Sequence, residues 1–118
     1  AYTYEVSQPY AAVLTKVPSP DSGVKAGYEE SIALFIQPVT PELSRVWFRM
    51  AMADFELPAE KVLDFQNTIF LQDKPVLESQ RPRTLPLQPG AESFVAVDKG
   101  SAAYRRLLQQ QGITFGVC

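Results

Sequence analysis

The chain has 118 residues with 11 basic and 13 acidic side chains, and its formal net charge is −2. Leu, Ile, Val and Phe account for 33 residues, enough for one core-forming domain or part of one. The absence of a basic excess excludes nucleic acid as an expected partner. No apolar run approaches the roughly 20 residues of a membrane span, and residues 1–5 lack signal-peptide character. We therefore expect a cytoplasmic protein.

Two residue counts narrow the possible chemistry. The chain contains no histidine, and its one cysteine is the last residue, Cys118. These counts exclude an internal disulfide framework, a Cys-based zinc site and His-dependent nucleophilic catalysis. They also exclude a complete metal triad of two histidines and one carboxylate within this chain. Any chemistry must use carboxylates, Lys, Tyr or Arg, or groups supplied from elsewhere.

The first half of the sequence predicts consecutive strands. Residues 2–17 are rich in Tyr, Val and Thr, and Pro9 indicates an edge, a bulge or two shorter strands. Residues 28–39 and 45–53 are the next strand candidates, and the short links favour antiparallel pairing. In the last strand two alternating sets of side chains lie on opposite faces: Val46, Phe48, Met50 and Met52 against Trp47, Arg49 and Ala51.

The second half predicts helices. Pro58 and Glu60 are good start signals for a helix over residues 59–80. A short strand is expected at residues 93–97. A last helix is expected from a Ser101 cap to Gln111, with Gly112 just beyond its end.

Asp73 lies in an unusual place on the long helix. At 100° per residue the apolar side chains fill one continuous arc, made of Val62, Leu63, Phe65, Ile69, Phe70, Val76 and Leu77. Asp73 falls near the centre of that arc, with Gln66 and Gln80 seven residues away on the same stripe. A carboxylate in an apolar interface must be paired, metal-bound or protonated. Pro75 is expected to kink the helix beside it.

Two structural explanations stay open for Asp73. The kink can turn the side chain to solvent, or the carboxylate can form a salt bridge with Arg49, Arg81 or Arg83. Periodicity alone favours these explanations over a functional site.

Residues 69–82, IFLQDKPVLESQRP, resemble the C-terminal region of Rieske non-haem iron oxygenases. The resemblance is greatest to the vanillate O-demethylase and dicamba monooxygenase branch of ring-hydroxylating oxygenase α subunits. Residues 38–49, 85–87 and 104–107 are similar to neighbouring parts of the same family. The resemblance is specific around Asp73 and covers most of residues 28–111.

The resemblance implies an oxidoreductase with a helix-grip (Bet v 1/START-like) α+β fold, a curved antiparallel sheet packed on a long C-terminal helix. Asp73 would be the carboxylate ligand of a mononuclear Fe(II), with two histidines from outside this chain. A Rieske 2Fe-2S cluster, absent from this sequence, would supply electrons from an upstream domain or partner subunit served by a reductase. A homo-oligomer and an aromatic or cyclic organic substrate oxidised with O₂ are also implied.

Other residues take candidate roles within this interpretation. Gln66 and Gln80 could hydrogen-bond Asp73 and orient it. Substrate-pocket candidates lie on the strand faces: Phe48, Met50 and Met52, or alternatively Trp47. Core packing is the simpler explanation for all four. Residues 104–106, Tyr-Arg-Arg, either contact a neighbouring subunit or form a solvated basic face on the last helix.

The departures from the family are large. The Rieske domain and both iron-binding histidines are missing, so we expect residues 1–118 to be a single domain, the C-terminal portion of a catalytic domain and an incomplete copy of the fold. The isolated chain is expected to bind no cofactor and to be inactive. Two other function classes stay open. One is a non-catalytic helix-grip module for an apolar small molecule. The other is a structural or interaction half-domain with an open sheet edge.

Overall fold

The computed structural model describes residues 1–23, 27–52 and 57–118. Four strands come first in the chain, followed by two helices. The strands are β1 (Tyr2–Gln8), β2 (Ala11–Lys16), β3 (Glu30–Thr40) and β4 (Leu43–Ala51). The helices are α1 (Ala59–Ser79) and α2 (Lys99–Gln110). Short 3-10 turns cover Pro20–Ser22 and Ala96–Asp98.

The strands form one antiparallel sheet in the order β1-β2-β3-β4. Pro9 lies in the tight turn between β1 and β2, so the first strand candidate is two shorter strands joined as a hairpin. Within the described ranges the sheet is unclosed, with β1 and β4 at its edges. The predicted α+β class and the antiparallel pairing are confirmed.

The strand register gathers the large apolar side chains on one face of the sheet. Leu34 pairs with Ala12 on one side and with Phe48 on the other, and Ile32 pairs with Met50. Directly paired residues point to the same face of a sheet. We call the face that carries Leu34, Phe48 and Met50 the inner face, because both helices lie against it.

The described residues bury one side chain completely, Leu108 of α2, which is 1% exposed. Helix α2 is fixed at both sides by hydrogen bonds to distant backbone. The Tyr104 hydroxyl donates to the Pro9 carbonyl, and Gln109 Nε2 donates to the Leu87 carbonyl at 2.7 Å. These bonds join α2 to the hairpin turn on one side and to the segment that follows α1 on the other. The three parts of the chain meet around one small core.

The C-terminal segment pairs with the chain just beyond α1. The Leu85 amide donates to the Gly116 carbonyl and the Cys118 amide donates to the Leu85 carbonyl, each at 2.9 Å. Gly112 has φ of +65° directly after the end of α2, as predicted for a helix C′ residue. Within the described residues, no helix has both the length and the apolar character needed to cross a bilayer.

Two local predictions were wrong. Residues 93–97 form no strand, because the Asp98 carboxylate accepts the Val95 amide at 2.9 Å and closes a 3-10 turn there. Helix α2 begins at Lys99, so Ser101 lies within its first turn and is not its cap. The turn and the helix are continuous, so the residue before the helix is Asp98, three residues earlier than the expected Ser101 cap.

Replacing Leu108 with Ala is expected to destabilise the protein by about 2–5 kcal/mol, since it leaves a cavity in the only fully buried position of the described chain. Denaturant unfolding measures the change. Val97→Ala is the control, because Val97 is 88% exposed and its truncation should alter the free energy of unfolding by less than about 0.5 kcal/mol. Equal effects of the two changes would contradict the placement of the core.

Candidate functional site

Helix α1 lies against the sheet through one stripe of its surface. Val62, Gln66 and Phe70 are half-buried and recur every four residues, so they lie above one another on successive turns. The Phe70 ring meets the Phe48 ring edge to face, with centroids 5.2 Å apart and planes at 71°. This contact fixes the orientation of α1 over β4.

Asp73 lies one turn beyond Phe70 on the same side of α1. Its side chain is exposed, as is every residue from Leu71 to Arg83. The position of Asp73 on the apolar arc therefore does not enclose it, and the side chain faces solvent, as in one of the two structural explanations left open. The described residues cover the helix only as far as Phe70, and they leave Val76 and Leu77 each 61% exposed. The helical periodicity predicts the direction in which the Asp73 side chain points, but it does not predict which residues cover that side of the helix.

The proposed salt-bridge partners of Asp73 are engaged elsewhere or point elsewhere. Arg83 pairs with Glu42 at 3.6 Å, and Arg81 donates to the Glu78 and Gln80 carbonyls at 3.2 and 2.7 Å. Arg49 alternates with Phe48 along β4 and so lies on the outer face. Among the residues that the structure describes, none pairs with the Asp73 carboxylate.

The helix around Asp73 remains regular. Helix α1 continues past Pro75 to Ser79 without interruption. Lys74 and Glu78 form an i, i+4 ion pair on the solvent side, at 3.7 Å. An accessible carboxylate, free of any described partner, therefore projects from an uninterrupted helix.

The two candidate glutamines differ in their surroundings. Gln66 is half-buried between Val62 and Phe70, on the stripe that leads to Asp73. Gln80 lies just beyond the helix end, where its Nε2 donates to the Val76 carbonyl at 3.2 Å. The structure brings neither side chain into hydrogen-bond contact with Asp73 within the described residues.

The four pocket candidates divide between the two faces of the sheet. Phe48 and Met50 are half-buried on the inner face, and Met52, just after β4, is also half-buried. Trp47 lies on the outer face, 47% exposed, with the Arg45 guanidinium 5.9 Å from its ring centroid. The geometry therefore places Trp47 on the side of the sheet away from α1.

The sequence offers one candidate metal ligand, the Asp73 carboxylate. In the described ranges, no three His, Cys, Asp or Glu residues cluster closely enough to hold a metal ion. The Asp73 carboxylate, exposed and without a partner among the described residues, fits the role of one ligand to an ion whose other ligands come from outside this chain.

The sequence interpretation missed an inward-facing cluster on α2. Arg105 binds Glu92 with two nitrogens, one contact being Nη2 to Oε1 at 2.8 Å, and its guanidinium lies 5.2 Å from the Phe94 ring centroid. The prediction of a solvated basic face is thus wrong for Arg105, whereas Arg106 is exposed. Glu92 and Phe94 belong to an irregular segment, so no periodic pattern indicated the contact.

Burial raises the pKa of the Tyr104 phenol above its usual value, with Tyr10 adding to the shift and Arg105 opposing it. The phenol therefore stays protonated and donates to the Pro9 carbonyl through the neutral pH range. This hydrogen bond fixes the distance between α2 and the β1–β2 turn.

An open antiparallel sheet with a long helix on its inner face, and an accessible carboxylate on that helix, is compatible with the helix-grip domain of an oxygenase. Residues 1–112 match the family model of the vanillate O-demethylase oxygenase C-terminal domain. The chain belongs to this family, the C-terminal part of the catalytic domain of Rieske-type oxygenases, whose intact members use iron-based cofactors.

One curated relative matches nearly the whole chain. The chain is 37% identical over 115 residues to the probable methylxanthine N7-demethylase NdmC of Pseudomonas sp. (strain TJI-51). The match covers 98% of this chain and 39% of that protein. The chain thus spans about two fifths of the length of this relative.

Tyr104→Phe is expected to reduce stability by about 0.5–1.5 kcal/mol at neutral pH, because it removes the hydrogen bond to Pro9. Since the folded-state pKa is raised, the contribution is complete below the unfolded pKa of about 10 and is lost as pH rises through the folded pKa. Denaturant unfolding at pH values below and above 10 should show a smaller alkaline loss in the variant than in the wild type. Parallel losses would contradict the assignment.

Proposed function

We propose that this chain supplies the carboxylate iron ligand, Asp73, of a Rieske-type mononuclear iron oxygenase. The observation that carries the proposal is the exposed Asp73 carboxylate, which has no partner among the described residues and lies one turn beyond the Phe48–Phe70 contact, in a chain of this family. Two histidines from outside this chain complete the ligand set. The bound iron supplies O₂ activation.

The residues around Asp73 have separate tasks in this proposal. The packing of Phe70 on Phe48 joins α1 to β4 one turn before Asp73 and so helps to position the carboxylate. Gln66, half-buried on the same stripe, is the better placed of the two glutamines to orient the carboxylate. Gln80 can take that role only by releasing the Val76 carbonyl.

The substrate is an aromatic or cyclic organic molecule that lies between the inner face and α1. Phe48, Met50 and Met52 form the apolar wall that binds it and excludes water. Trp47, on the outer face, takes no part. A demethylase-type oxygenation agrees with the names of the family and of the relative.

Electrons come from a Rieske 2Fe-2S cluster in an upstream domain or partner subunit, which a reductase reduces. The intact enzyme is a homo-oligomer in the cytoplasm. We propose that residues 1–118 form the C-terminal portion of its catalytic domain.

Asp73→Ala in the intact enzyme is expected to remove iron and activity. Loss of even an outer partner of a metal ligand typically costs about 10–100-fold in affinity, so removal of the ligand itself should cost at least as much. Metal analysis of the purified protein and substrate turnover are the measurements. Asp64→Ala is the matched control, because Asp64 is an exposed acid on the opposite side of α1. Full iron occupancy in the Asp73 variant would defeat the ligand assignment.

Met50→Phe is expected to lower kcat/KM by about tenfold, since a changed volume in an apolar pocket typically alters specificity by about 10–200-fold. Trp47→Phe on the outer face should leave kcat/KM unchanged. Steady-state kinetics of both variants, at equal iron content, test which face of the sheet contacts the substrate. A larger effect at Trp47 than at Met50 would reverse the assignment of the faces.

A further inference from the structure

The outer face of the sheet, which is turned away from both helices, carries two large aromatic side chains. Phe35 of β3 pairs directly with Trp47 of β4, and each is 47% exposed. The Arg45 guanidinium contacts the Trp47 ring from the same face, 5.9 Å from its centroid. Neighbouring exposed aromatic residues of this kind are typical of an interaction surface.

The same face carries opposite charges at its two edges. One row of directly paired residues crosses all four strands: Glu5, Val13, Ala33 and Arg49. Paired residues point to the same face, and three strand spacings of about 4.8 Å separate the acid from the base by about 14 Å. This distance is too long for an ion pair within one chain. Both charged side chains are exposed, and the described residues provide no ion-pair partner for either.

A two-fold axis parallel to the strands makes this charge pattern self-complementary. An axis that passes between β2 and β3 reverses the order of the strands in a facing copy of the sheet. Glu5 then lies opposite Arg49 of the second copy, and Arg49 lies opposite Glu5 of that copy. Because a two-fold interface repeats each contact, it contains two such ion pairs.

The row of aromatic residues fits the same axis by size. Phe35 of β3 pairs with Trp47 on one side and with Ala11 of β2 on the other. The axis exchanges β2 and β3 between the two copies, so each Phe35 ring lies over a small Ala11 side chain. Sheets that pack face to face keep their strands within about 30° of each other at a distance of about 10 Å, and an axis along the strands provides this alignment.

We propose that the outer face binds a second copy of this chain, face to face, with Glu5 of each copy opposite Arg49 of the other. The inner face and α1 lie on the other side of the sheet. The contact therefore leaves the proposed substrate side open and depends neither on Asp73 nor on bound iron.

The test reverses these charges in the intact protein that contains this chain and measures molar mass by sedimentation equilibrium over a range of concentrations. The mass of the wild type is expected to double as concentration rises. Glu5→Arg or Arg49→Glu alone places like charges opposite each other twice. Each change is expected to weaken the association by about tenfold, the effect of two exposed ion pairs. Lys99→Glu makes the same charge change at an exposed position of α2 and should leave the association unchanged.

A mixture of the two single variants separates a contact between copies from an effect within one chain. In a pair made of one Glu5→Arg copy and one Arg49→Glu copy, both edge contacts again join an acid and a base. The mixture should therefore associate with about the wild-type affinity, although each variant alone does not.

Circular dichroism confirms that each variant is folded. A wild-type mass that does not double, or a mixture that associates no better than the single variants, would overturn the proposal.

The outcome is distinguishable from failure of the proposed function. Asp73→Ala should lose iron yet associate like the wild type, whereas Arg49→Glu should keep its iron. Loss of the association in Asp73→Ala would contradict an interface on the outer face.

Discussion

The edge-to-face contact between Phe48 and Phe70 is the interaction on which the position of the long helix depends. It joins the last strand of the sheet to the middle of α1, and Val62 and Gln66 extend the same stripe toward the helix start. Such aromatic pairs add about 0.5–1.5 kcal/mol beyond the area they bury. The direction of Asp73, one turn further along, follows from this contact and from helical geometry alone.

Local sequence patterns predict much of this architecture. The alternation of Phe48 and Met50 with Trp47 predicted the two faces of β4, and the register confirms it. Pro58 and Glu60 marked the start of α1 to within one residue, since Pro58 is the N-cap and the helix begins at Ala59. Proline and alternation act over a few residues, so they can be interpreted without knowledge of the fold.

The parts that escaped prediction depend on contacts between distant segments. The ion pair of Arg105 with Glu92 joins a helix to an irregular segment, and the Tyr104 hydroxyl crosses 95 residues of sequence to reach Pro9. The sequence left the exposure of Asp73 open for a related reason, because an apolar arc shows where a helix can pack but not how much of it is covered. Only the resemblance around residues 69–82 selected Asp73 as a ligand.

The account divides the molecule into two regions that share one sheet. Helix α1 carries Asp73 one turn beyond its contact with β4, and α2 lies over a mainly apolar cleft lined by β1 to β3. The most direct test of the central claim is a crystal structure of the iron-loaded intact enzyme, with anomalous scattering measured at the iron absorption edge. The account predicts an iron peak within bonding distance of the Asp73 carboxylate, with the remaining protein ligands from outside this chain. A mononuclear iron peak that leaves Asp73 in solvent would contradict it.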